Sequence, residues 1–220
     1  MMATNANTTN SMNNATLPGI DVSHYQGSVD WAAVKAAGIA FAFAKASDGN
    51  TSKDTQFKKN WQGMQAAGLP RGAYHFYESD DDPLTQANNF LSAVGALDKN
   101  DLPPVIDIES TKGNFGNNSL AANLQICLDT VEKGLKCTPI IYTNSAFWNA
   151  NLTAGFGRYP LWIARYSSKP PTIPNGWANW NFWQYSESGA VAGVTGPVDL
   201  DRFAGGLADL QQLIAKAHLA

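Results

Sequence analysis

Asp107 and Glu109 stand two residues apart in Pro103-Pro104-Val105-Ile106-Asp107-Ile108-Glu109, a short apolar run. Residues i and i+2 of a strand project to one face, so the two acids share a side with Val105, while Ile106 and Ile108 face the other way. Carboxyl groups on an inward face are costly unless they are paired or functional. Their repulsion and partial desolvation would raise one pKa, the condition under which a carboxylic acid keeps its proton for general acid catalysis. Two more acids lie inside apolar runs: Asp21 in Gly19-Ile20-Asp21-Val22-Ser23-His24-Tyr25-Gln26-Gly27, and Asp199 in Gly196-Pro197-Val198-Asp199-Leu200-Asp201. Aromatic residues gather near the ends of these and similar runs: Tyr74, Phe76, Tyr142, Phe147, Trp148, Trp162, Tyr166, Trp183 and Tyr185. Sugar rings lay apolar C–H faces on aromatic rings and offer hydroxyls to carboxylates, so acids among Trp and Tyr suit a glycan cleft. Phe41, Phe43 and Phe182 are expected to fill the core instead.

Other chemistries find little support. His24, His75 and His218 are scattered and no HExxH pattern occurs, so no metal site is expected. The absence of a Gly-x-Ser-x-Gly elbow, a P-loop and a dinucleotide fingerprint leaves no cofactor to expect. A formal charge of −3 supplies no basic field for nucleic acid. No apolar stretch approaches the roughly 20 residues that span a bilayer, so no membrane partner is expected. Without a heptad pattern or an exposed apolar stripe, a monomer is expected. Cys127 and Cys137 have neither metal-site nor redox spacing; two buried thiols and a single helix-to-strand bridge both remain open.

The acids can meet only if the intervening chain folds into repeated strand and helix units. Eight β-like runs are predicted: Ile20–Ser23, Ile39–Ala46, Gly72–Phe76, Val105–Glu109, Ile140–Thr143, Leu161–Tyr166, Phe182–Tyr185 and Val198–Phe203. Helices are predicted over Trp31–Ala37, Thr55–Ala67, Pro83–Val94 and Leu120–Lys133, with Asp30 and Ser119 as N-caps and with Gly38, Gly68, Gly95 and Gly134 closing them. Alternation of this kind points to an α/β fold with parallel strands. If it closes as a β/α barrel, the first and eighth strands are neighbours and four carboxylates can converge on the C-terminal mouth. Later connections such as Lys169–Gly176 are rich in Pro, Gly and Asn, so the last third should be irregular, with regular helices mainly in the first five units.

The Asn- and Thr-rich start, residues 1–17, lacks a basic n-region and an apolar h-region and reads as a disordered leader before one domain over residues 18–220. No second module is read beyond it.

Taken in order, these blocks resemble the lysozymes of glycoside hydrolase family 25, the Chalaropsis type. The resemblance runs from about Pro18 to Phe203 through Asp21-Val22-Ser23, Phe43-Ala44-Lys45-Ala46, Gly72-Ala73-Tyr74-His75-Phe76, Asp107-Ile108-Glu109, Tyr142-Thr143, Leu161-Trp162-Ile163-Ala164-Arg165-Tyr166, Trp183-Gln184-Tyr185-Ser186 and Val198-Asp199-Leu200. It implies a single irregular TIM-like barrel and hydrolysis of the β-1,4 bond between N-acetylmuramic acid and N-acetylglucosamine in bacterial cell-wall peptidoglycan. It implies Glu109 as general acid and Asp107 as its partner, positioning the substrate acetamido group or acting on water. Asp21 and Asp199 become further cleft carboxylates, and Tyr74 and Trp183 subsite residues; Tyr142, Trp162 and Tyr166 are the remaining aromatic candidates. The site of action would be outside the cytoplasm, reached through a pore, a secretion machine or a signal already removed. Two rivals are a noncatalytic glycan-binding barrel and a chitinase-like glycosidase, although the latter's further Asp is replaced by Val105.

Overall fold

The computed structural model describes residues 15–152 and 155–218. Its strands are β1 (Thr16–Val22), β2 (Phe41–Asp48), β3 (Ser52–Lys53), β4 (Arg71–Phe76), β5 (Val105–Asp107), β6 (Ile140–Asn144), β7 (Leu161–Ala164), β8 (Phe182–Gly189) and β9 (Val198–Ala204). The helices are α1 (Trp31–Ala36), α2 (Phe57–Ala66), α3 (Pro83–Val94), α4 (Leu120–Leu135), α5 (Ser145–Asn151) and α6 (Leu207–Ala217). Neighbours run β1-β9-β8-β7-β6-β5-β4-β2, and pairing of β1 with β2 closes the ring; β3 is a two-residue flap on β2. The result is an irregular α/β barrel of eight mixed strands.

All eight predicted runs form strands, but they are not all parallel. β9 is antiparallel to both β8 and β1. The stretch from Ala190 to Pro197 is too short for the crossover of a dozen or more residues that a parallel return requires. No regular helix joins β7 to β8; Trp177, Trp180 and Ile173 of that connection pack on Leu161, Ile163 and Trp183 in its place. Residues 1–14 of the expected leader lie outside the described residues, but Thr16 and Leu17 already belong to β1, paired with Ala204 and Phe203. Leu17 packs against the inner core, which draws the strand start upstream of Pro18.

Strand alternation divides the core into two layers. Phe41, Phe43 and Lys45 of β2 point inward, while Ala42, Ala44 and Ala46 lie against the helices. Phe41, Phe43 and Phe182 are fully buried inside the barrel, as expected, with T-shaped contacts between them. Gly19 of β1 lies beside Phe41 and Gly72 of β4 beside Phe43, and a Cβ on either glycine would collide with that ring. Leu210 and Ile214 of α6, a helix absent from the sequence-based prediction, plug the bottom of this layer. Their spacing of four is the signal that could have revealed it.

Three predicted glycine stops hold, with Gly38, Gly68 and Gly95 at positive φ just past their helices. Gly134 does not. It lies within α4, where a side chain would strike Leu91 of α3, and the left-handed cap is Lys136 at φ 51°. Close approach of α3 and α4, not chain reversal, requires this glycine. Cys127 and Cys137 are buried free thiols, so the bridge does not form. Among the described residues no helix is long and apolar enough to cross a membrane.

Candidate active site

The C-terminal ends of the parallel strands surround a cleft of about 280 Å³, into which Asp21, Asp107, Glu109 and Asp199 all project. The four predicted acids are therefore brought together. Register explains how: Asp21 of β1 stands directly across from Asp199 of β9, while Asp107 stands beside Phe76 of β4 and Tyr142 of β6. The strand expected to reach Glu109 ends at Asp107, yet Ile108 N–H still bonds the Tyr142 carbonyl at 2.9 Å, which carries the alternation on to Glu109.

Asp107 is buried and makes no side-chain hydrogen bond within the described residues; its buried Oδ1 is an acceptor without a donor. Such an atom is costly in a finished core but suits a site completed by an N–H or O–H from outside. Burial, then the charges of Glu109 and Asp21, push the Asp107 carboxyl well above the ordinary carboxylate range. Burial likewise raises Glu109. Lys45 opposes both shifts. Its ammonium pairs with Asp48 at 2.7 Å and lies 4.8 Å from the Phe76 ring centroid. Asp199 rises to about 6 through burial and the nearby Glu187 and Glu109 charges.

Four of the five aromatic candidates line the cleft: Tyr74, Tyr142, Trp162 and Tyr166. Trp162 forms part of the floor, stacked on Phe43 with centroids 4.4 Å apart. Tyr166 is half exposed at the rim. Trp183 is not in the cleft. Phe182 and Gln184 of β8 face inward, so the intervening Trp183 faces outward, against Trp180 and Tyr185, and its indole N–H donates to the Arg165 carbonyl at 2.8 Å.

Three polar side chains escaped the sequence reading. Lys45 shares the inward face of Phe41 and Phe43, a signal present in the Phe-Ala-Phe-Ala-Lys alternation. Gln184 is a buried hub: its Nε2 donates to Asp21 Oδ2 at 2.7 Å, and its Oε1 accepts from the hydroxyls of Tyr142 at 2.7 Å and Tyr166 at 3.2 Å. Asp201 shares the inward face of Asp199 by the same two-residue rule that joined Asp107 to Glu109. It is fully buried beneath the cleft, its Oδ1 accepts the Trp162 indole N–H at 3.0 Å, and its Oδ2 has no hydrogen-bond donor among the described residues. Burial first, then the charge of Asp199 on Asp21 and of Asp21 on Asp201, raises both carboxyls well above the ordinary carboxylate range, which favours the protonated form of the buried Asp201.

The Asp201 proton has a consequence for stability. A carboxyl held above its unfolded pKa contributes stability below about pH 4 that is lost as pH rises, because the unfolded chain releases the proton first. Asp201→Asn, isosteric with the neutral acid, is expected to unfold at a higher temperature than the unaltered protein at pH 8, and the gap should shrink towards pH 4. Parallel melting profiles across that range would show that Asp201 carries no bound proton.

The first turn after β1 forms one rim. Ser23 accepts from Tyr25 N–H, Gln26 Oε1 accepts from Ser23 N–H at 2.9 Å, and Gln26 Nε2 donates to the Pro197 carbonyl at 3.2 Å, which ties the rim to the start of β9. Tyr25 is left strongly exposed at the edge. Among the described residues no three His, Cys, Asp or Glu side chains are grouped so as to hold a metal ion.

The sequence profile described as "Glycosyl hydrolases family 25" matches residues 20–194. Lysozyme M1 of Streptomyces globisporus is 37% identical over 206 residues, covering 89% of this chain and 70% of the relative. The N,O-diacetylmuramidase of Chalaropsis sp is 31% identical, covering 84% of this chain and 96% of that protein. The crystal structure of the bacterial lysozyme from Streptomyces coelicolor superposes with a TM-score of 0.86 at 35% identity, covering 93% of this chain and 99% of that one. A family GH25 lysozyme from Aspergillus fumigatus gives 0.82 at 36% identity, covering 91% and 100%.

Proposed function

The chain belongs to glycosyl hydrolases family 25, and from that premise we propose that it is a muramidase cleaving the β-1,4 bond between N-acetylmuramic acid and N-acetylglucosamine in peptidoglycan. The observation that carries this reading is the Asp107 and Glu109 pair, both raised by burial, in a cleft walled by Tyr74, Tyr142, Trp162 and Tyr166. Glu109, the more exposed of the two, donates its proton to the leaving glycosidic oxygen. Asp107 offers its unpartnered Oδ1 to the N–H of the substrate acetamido group, so that the acetamido oxygen attacks the anomeric carbon as the bond to the leaving sugar breaks. Glu109, now a carboxylate, takes a proton from the water that opens the cyclic intermediate. Asp21 and Asp199 hold sugar hydroxyls, and Asp21 adds to the burial and the Glu109 charge that raise Asp107.

A second reading has one observation in its favour: Asp107 is buried more deeply and raised more strongly than Glu109, which suits exchanged roles.

Digestion of purified peptidoglycan with mass analysis of the fragments tests the activity. Fragments with reducing-end muramic acid are expected. Reducing-end glucosamine would assign the other bond of the strand, and binding without cleavage would make the chain a lectin.

A further inference from the structure

Tyr166 and Glu187 line the cleft on one side and, on the other, a second hollow of about 420 Å³ on the outer face of the barrel. The hollow exists because no helix covers β8 and β9 there. Tyr185 and Arg202 form its floor, and the hydroxyl-bearing Ser168 and Ser188 lie on its margins. The Arg202 guanidinium lies 4.3 Å from the Tyr185 ring centroid and 5.4 Å from that of Trp183. Stacking on two rings fixes its plane and leaves its edge for a ligand. Among the described residues no carboxylate pairs with it, whereas Lys45, Arg71, Lys112 and Arg158 all have acidic partners.

We infer that this shelf binds the peptide substituent of the substrate, with Arg202 gripping a peptide carboxylate and Glu187 facing a peptide amine. This rests on the peptidoglycan reading, in which the sugar held in the cleft carries a short peptide with free carboxylates and an amino group. Continuity through Tyr166 supplies the route, since a substituent leaving a sugar in the cleft passes over that ring onto the shelf. A planar guanidinium is matched to a carboxylate, and the opposed Glu187 disfavours a purely anionic polymer.

The test compares two substrates: intact peptidoglycan, and the same glycan stripped of its peptides by an amidase. Arg202→Gln is expected to lower kcat/KM on intact peptidoglycan by about 3- to 10-fold, chiefly through KM, and to leave the stripped glycan unaffected. Equal losses on both substrates, or no loss on either, would overturn the shelf. Should the variant fold poorly, the unaltered protein suffices: converting the peptide carboxylates to amides should weaken cleavage by a similar factor, and unchanged cleavage would overturn the inference. Failure of the unaltered protein to cut either glycan would instead overturn the muramidase reading.

Discussion

Glu109→Gln is expected to lower turnover of peptidoglycan by at least roughly 100-fold, because the amide keeps the shape of the acid and has no proton to give. The loss should depend on the leaving group. An aryl glycoside whose leaving phenolate needs no proton should be cut by the variant at a rate much nearer that of the unaltered protein. Asp107→Asn leaves the acetamido N–H only a weaker, uncharged acceptor that cannot take up a proton, and is expected to be equally slow on both substrates, since leaving-group quality does not replace it. Steady-state rates on the two substrates therefore separate the roles. If Asp107→Asn is the variant rescued by the good leaving group, the acids exchange places, as the deeper burial of Asp107 would favour. If neither variant loses activity, the pair is not the catalytic centre.

Arg71→Ala is expected to destabilise the fold by about 3–5 kcal/mol, the range for removing one partner of a buried ion pair. Arg71 begins β4 at the bottom of the barrel and is almost inaccessible, as is Asp101. Its Nε donates to Asp101 Oδ1 at 2.8 Å, its Nη1 to the Trp61 carbonyl at 2.8 Å, and its guanidinium stacks 4.0 Å from the Trp61 ring. Asp101 in turn accepts from its own loop at Asp98 N–H, and its backbone carbonyl contacts the His218 ring at 2.9 Å, so the pair joins β4, α2 and the end of α6. Truncation leaves the Asp101 carboxylate buried without its cation. Urea unfolding measures the loss, and a change below about 1 kcal/mol would mean that water or a side-chain shift replaces the guanidinium. Because the pair lies at the opposite end from the cleft, KM for peptidoglycan should not change below the melting range.

Much of the site could be read in one dimension because strand alternation is local. Once Val105–Asp107 is a strand, Asp107 must share a face with Val105, and the same rule places Asp21 between the outward Ile20 and Val22. Applied more widely, the rule would also have found Lys45 beside Phe41 and Phe43, Asp201 beside Asp199, and the outward face of Trp183. Trp183 was misplaced by its aromatic chemistry, although its immediate neighbours Phe182 and Gln184 point into the barrel.

The amino-acid order by itself determined the strand positions, which residues share a face, and the three helices that stop at glycines, since each depends on bonds and contacts within a few residues. Only the tertiary structure decided that β9 runs against its neighbours, that Gly134 packs two helices instead of ending one, and that Gln184 joins Asp21 to two tyrosines. Those outcomes depend on partners more than a hundred residues away in some cases, as with Gln184 and Asp21, whose meeting is set by strand register around a closed ring and leaves no local trace in the chain.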